Sequence, residues 1–152
     1  MTLEAKIAIV IGLAVVAAIA GVVWRNRTGS SKSVRDGGIV NLKELAALKN
    51  GNLVTKFGRK TTFIQFSSEY CTQCRQTARL LGELEKNDDG ILHVEIDITN
   101  RLELAKKFNV LQTPTTLVLD SKGRIKSRIG GAPKVNVIQD ELNEIQKASF
   151  EI

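Results

Sequence analysis

Apolar and polar positions along the chain change period several times, and each change predicts an element. Ile7 to Trp24 (IAIVIGLAVVAAIAGVVW) is an uncharged run of eighteen residues. As a helix it spans roughly 27 Å, close to the hydrocarbon thickness of a bilayer. Asn26 to Gly38 (NRTGSSKSVRDGG) has no apolar period. From Ile39 onward helical and strand periods alternate. Asn41 with Glu44 makes a capping box for a short helix using Leu42, Leu45, Ala46 and Leu48, closed by Asn50-Gly51. Thr61 to Phe66 (TTFIQF) reads as a strand. Ser67 to Tyr70 is a loop, and a helix runs from about Cys71 to Lys86 with Ala78, Leu81 and Leu84 on one side. Asn87 to Gly90 turns the chain.

Ile91 to Asp97 (ILHVEID) is the next strand. A helix over Asn100 to Phe108 follows, with Asn100 and Glu103 as its capping box. Thr115 to Leu119 and Arg124 to Ile129 flank the turn Asp120-Ser121-Lys122-Gly123 and should pair antiparallel. Pro133 suits the first turn of a last helix with Val135, Ile138, Leu142 and Ile145 in one stripe. The order βαβαββα predicts an α/β domain with a mixed sheet and helices on its faces. The chain divides into residues 1–25 as a transmembrane anchor, 26–38 as a flexible linker, and 39–152 as the folded domain.

Charge refines the membrane reading. Glu4 and Lys6 precede the apolar run; Arg25 and Arg27 follow it, and Trp24 sits where an interfacial anchor belongs. A cleaved signal peptide is the competing reading, because Ala18-Ile19-Ala20 has the small-x-small pattern. The apolar run continues past that point and Glu4 offsets Lys6, so a single uncleaved span touching lipid through residues 7–24 is favoured. Arg25, Arg27, Lys32 and Arg35 outweigh Lys6, which places the domain on the cytoplasmic side by the positive-inside rule, with the extracytoplasmic side as the alternative. The net charge of +6 comes from scattered basic residues without interleaved aromatics, so no nucleic-acid partner is expected.

The chemistry concentrates in the only two cysteines, Cys71 and Cys74, within Tyr70-Cys71-Thr72-Gln73-Cys74-Arg75. A bridge this short constrains little of an unfolded chain, so its use is better sought in a dithiol that opens and closes. The strand-loop-helix context puts Cys71 at a helix N-terminus. Backbone N–H groups and the helix dipole favour a thiolate there, and Arg75 adds positive charge. Cys74, one turn in, is the more buried resolving thiol. Zinc needs four ligands, and the chain offers two cysteines and His93, its one histidine. Haem attachment needs His where Arg75 stands. No metal or other cofactor is expected. A binding or metal-handling module with a static cysteine pair is the alternative to the redox reading.

With Thr113-Pro114 leading into the hairpin, residues 39–150 resemble the thioredoxin family, and FSSEYC is similar to membrane-anchored bacterial members. The resemblance implies a thioredoxin-like fold and thiol–disulfide oxidoreductase activity on protein disulfides or dithiols, recharged by an electron donor or acceptor the sequence does not name. It implies a cis Pro114 beside the cysteines, with Tyr70, Thr113 and Pro114 contacting an extended substrate segment. The chain departs from the family's Trp-Cys-Gly-Pro-Cys-Lys at Tyr70, Thr72, Gln73 and Arg75. The family's buried Asp maps to Gln65, which cannot accept a proton. The Lys accompanying that Asp maps to His93, a candidate proton shuttle for Cys74.

Overall fold

The computed structural model describes residues 2–34 and 37–150. Of the sequence assignments above, Met1, Arg35, Asp36, Glu151 and Ile152 lie outside it, as do the side chains of residues 26, 27, 149 and 150. The apolar run forms helix α1 (Leu3–Arg27), longer than predicted at both ends. Its last turn closes where Thr28 donates both its amide (3.1 Å) and its hydroxyl (3.0 Å) to the Trp24 carbonyl. The stretch Leu3–Arg25 is long and apolar enough to cross a membrane, and none of it is buried against the domain. Membrane spans and signal sequences share that property.

The segment predicted as a flexible linker carries strand β1 (Ser31–Ser33). It pairs antiparallel with a strand nearly a hundred residues away, Ser31 opposite Ile129 and Ser33 opposite Ser127. Such an edge pairing uses backbone groups alone, so it leaves no apolar period to read. Gly29 donates to the Gly130 carbonyl at 2.7 Å and Val34 to Lys126 at 2.9 Å, closing the ends of the ladder. At Gly29 φ is +78°, and a Cβ would lie 2.3 Å from the Ala132 carbonyl oxygen. Gly29→Ala is therefore expected to loosen β1 alone, by about 2 kcal/mol of local opening energy. Amide exchange at Val34 should then be about 30-fold faster in the variant; an unchanged rate would show that the docking does not depend on this glycine.

Helix α2 (Leu42–Leu45) is one turn long, because Ala46 is left-handed at φ 45°. Asn41 caps it by accepting from the Lys43 amide at 3.1 Å, whereas Glu44 meets the Asn41 side chain instead of its amide, so half of the predicted capping box forms. Asn50-Gly51 does not end a helix. It turns a hairpin between β2 (Leu48–Lys49) and β3 (Asn52–Leu53), with φ of 51° and 77° suiting a primed turn.

Strands β4 (Thr61–Ser67), β5 (Ile91–Asp97), β6 (Thr115–Asp120) and β7 (Ile125–Gly130) complete a five-stranded mixed sheet in the order β1-β7-β6-β4-β5. The β4/β5 pair is parallel and the other pairs are antiparallel. All seven residues of β4 are buried, as befits a central strand. Helix α3 (Thr72–Asn87) and helix α5 (Val135–Phe150) cover one face, packing Leu81, Ile138 and Ile145 on Phe63, Val118 and Ile129. On the other face α2 and helix α4 (Leu102–Lys107) set Leu42, Leu45 and Leu104 against Ile64, Phe66 and Leu117. Val135, predicted in the core stripe, is exposed at the first residue of α5. The Asn100/Glu103 capping box is absent. Arg101 is the N-cap without a side-chain cap bond, and the turn before it is held by Asp97 accepting from the Thr99 amide at 2.8 Å.

Candidate active site

The two cysteines are joined as a disulfide, with Cα atoms 5.2 Å apart. Cys71 is the N-cap of α3, extended at φ −90° and ψ 103°, and its Sγ accepts from the Cys74 amide at 3.1 Å. Sulfur thus occupies the place where Ser or Asp commonly caps a helix. The unpaired N–H groups and positive dipole end of α3 favour a negative charge on that sulfur once the bridge opens. Cys71 is half-buried, while Cys74 faces the sheet at 1% exposure. One sulfur is open to a partner and the other is not. Arg75 is exposed and donates to the Thr72 hydroxyl at 3.2 Å, so its charge stays near the helix start.

The loop before β6 comes to the same place. Thr113-Pro114 is a cis peptide bond, with Pro114 buried and Thr113 half-buried. The hydroxyls of Ser68 and Thr113 share a 3.2 Å hydrogen bond, tying this loop to the one carrying Cys71. Gly131 donates to the Pro114 carbonyl at 2.8 Å from the end of β7. Tyr70, next to Cys71 in the chain, is 89% exposed, and Leu111, three residues before Pro114, is 86% exposed.

Beneath Cys74 lies a polar layer on the α3 face of β4 and β5. Gln65 is fully buried. Its Nε2 donates to the Cys74 carbonyl at 2.9 Å and to the Ser67 hydroxyl at 2.8 Å. Only an N–H can meet that carbonyl, so the orientation of the amide is set and Oε1 must face His93, 3.1 Å away at Nε2. His93 therefore carries its proton on Nε2, leaving Nδ1 as the basic nitrogen. Burial first, and the Lys49 charge second, lower the His93 pKa to about 4, against an opposing pull from Glu85. Lys49 ion-pairs with Glu85 and donates to the His93 carbonyl at 2.6 Å.

Sequence reasoning missed Glu95, which stands opposite Gln65 in the β4/β5 register. Its outer part is exposed, yet Oε1 accepts from the Ser67 hydroxyl at 2.6 Å. It is a carboxylate that reaches this layer through a side-chain hydroxyl, whereas Glu85 accepts from the His93 amide at 3.4 Å. The signal was its even spacing from His93 on one strand, which puts both on the same face. Among the described residues no three of His, Cys, Asp and Glu gather as a metal site. A cavity of about 570 Å³ lies at the other end of β4, lined by Lys60, Asp88 and Asn143, away from the cysteines.

A sequence model of the family described as Thioredoxin matches residues 43–144. Thioredoxin of Bacillus subtilis (strain 168) is 31% identical over 80 residues, covering 52% of this chain and 76% of its own length. Thioredoxin H5 of Arabidopsis thaliana is 31% identical over 86 residues, 57% of this chain and 68% of its own. Against thioredoxin H5 of Oryza sativa subsp. japonica, at 33% identity over 72 residues, the match takes in 47% of this chain and 53% of that one, so the chain spans about half the length of that relative. The solved structure of spinach chloroplast thioredoxin f is similar in fold, with a TM-score of 0.51 at 18% identity over 59% of this chain and 79% of that one.

Proposed function

Because the chain belongs to the thioredoxin family, we propose that it is a thiol–disulfide oxidoreductase held at a membrane by α1 and acting on protein disulfides. The observation that carries this reading is the asymmetry of the pair: a reachable Cys71 at a helix N-terminus, bonded to a buried Cys74. In the reducing direction the Cys71 thiolate attacks a substrate disulfide. A mixed disulfide forms, and the substrate's other sulfur leaves as a thiolate. Cys74 then loses its proton and attacks the Cys71 sulfur. The second substrate sulfur leaves, and the chain is oxidised by two electrons while the substrate is reduced by two. A dithiol donor returns the pair to the reduced state; run backward, the same steps oxidise a substrate dithiol and require a disulfide acceptor.

Tyr70 and Thr113 flank Cys71 as the surface for an extended substrate segment, with Pro114 shaping it. Glu95, through Ser67, is the group to which the Cys74 proton can be assigned, while His93, whose Nε2–H faces Gln65, holds that amide in place. The basic flank of α1 favours a cytoplasmic domain, and protease protection in intact cells tests that side.

Redox titration of the purified chain against glutathione buffers tests the core of the reading. One two-electron wave is expected, located between roughly −270 and −120 mV, the span from thioredoxin to a strong oxidant. A pair that stays bridged, or open, across that whole range would overturn it. Alkaline carbonate extraction tests the tether: the chain should remain with the membrane pellet.

A further inference from the structure

Resting on that reading, we propose that the active site works at the bilayer surface. Its substrates are integral membrane proteins whose disulfide or dithiol lies within the first few residues outside the lipid. α1 runs unbroken to Arg27, and Gly29 is already hydrogen-bonded to Gly130 on β7. Gly131, next along, holds the Pro114 carbonyl. The exit of the apolar helix and the loop facing Cys71 are thus stitched to the same end of the sheet. β1 enters at that end, since Ser31 pairs with Ile129 at the finish of β7, and β4 delivers Cys71 there.

Trp24 and Gly29 are five positions apart, about 7–8 Å at helical rise. Three strand spacings separate β1 from β4, roughly 15 Å at about 4.8 Å each. With the four residues from Ser67 to Cys71 adding at most about 13 Å, Cys71 stays within roughly 35 Å of the interfacial Trp24 whatever the tilt of the domain. A free thirteen-residue linker would have let the site roam farther; with β1 in the sheet that slack is gone. Tyr70, next to Cys71 in the chain, and Leu111, three residues before Pro114, are large and exposed, which suits a surface that meets lipid-flanking segments of a membrane protein.

The test uses the full-length chain with Cys74→Ser, reduced and reconstituted into phosphatidylcholine liposomes. Each liposome also holds a single-span peptide bearing a bonded cysteine pair. In one peptide the pair adjoins the span; in the other it sits beyond a rigid helical spacer of about 30 residues, roughly 45 Å. Mixed disulfides are followed on non-reducing gels. The adjoining pair is expected to be captured at least tenfold faster. Inserting twenty Gly/Ser residues between Thr28 and Gly29 adds about 25 Å of flexible reach and leaves β1 in place. It should bring the two rates within about twofold without altering reduction of soluble insulin by the chain with both cysteines.

Equal capture of both peptides by the uninserted chain, or preference for the distal one, overturns the proposal while the oxidoreductase reading stands. Failures of the underlying reading look different, and each overturns the proposal as well. A chain stripped from liposomes by carbonate has no anchor, and a chain that captures neither peptide and leaves insulin unreduced has no activity.

Discussion

Cys71→Ser is expected to lower disulfide reduction to the uncatalysed background, a loss on the order of 10³-fold, while leaving the fold intact. The nucleophile toward sulfur is a thiolate, and a serine hydroxyl is not ionised near neutral pH. The fold survives because position 71 is the N-cap of α3, where Ser is among the preferred residues. Circular dichroism and denaturant midpoint, compared with the reduced parent, should agree within about 1 kcal/mol. Cys74→Ser should behave differently. Its Cys71 still attacks, but nothing attacks back, so turnover falls and a covalent adduct with the substrate accumulates. Adducts with Cys74→Ser and none with Cys71→Ser assign the roles. The reverse pattern would invert them, in conflict with the burial of Cys74.

The second large effect concerns acid. Between pH 6.5 and 4 the protein should lose about 3 kcal/mol of stability through His93 alone. His93 is 8% exposed, and its pKa is lowered to about 4, chiefly by burial and then by the Lys49 charge. In the unfolded chain it titrates near 6.5. Above that value both states are neutral and the contribution is whole. As the pH falls, the unfolded state binds a proton that the native state refuses, so stability declines by up to about 1.4 kcal/mol per unit until the native ring also protonates. Urea midpoints of the native chain and His93→Gln across this range measure the difference. Glu44, Asp88 and Asp97, held low by Lys107, by Lys60 and by Thr99 respectively, lose their own contributions at lower pH. They are common to both proteins and cancel. Parallel curves would mean that the ring titrates alike in the native and unfolded states.

Much of this was legible in the residues. β4 and β5 are runs of β-branched and aromatic side chains, and the CxxC falls where a strand gives way to an amphipathic helix. Thr113-Pro114 lies one loop before a hairpin marked by Asp120 to Gly123. What escaped reading shares a physical cause: it depends on backbone or on faces. β1 is a backbone pairing of Ser and Lys residues whose partner is far away in sequence. Asn50-Gly51 signals a stop equally well for a helix or a hairpin, and Ala46 in a left-handed conformation decided for the hairpin. Arg101, rather than Asn100, starts α4, because Asp97 and Thr99 take up the turn. Glu95, an exposed carboxylate within β5, reads as solvated until the register sets it opposite Gln65.

The capping of α3 by sulfur has a spectroscopic corollary. The Cys74 amide donates to Cys71 Sγ, and that acceptor is a neutral bridge sulfur when oxidised and an anion when ionised. Hydrogen bonds to charged acceptors are shorter and about twice as strong. The Cys74 amide proton should therefore resonate at different fields in the two states. In an isotope-labelled sample that single cross-peak becomes an internal voltmeter, reporting the oxidation state of the pair without any added dye.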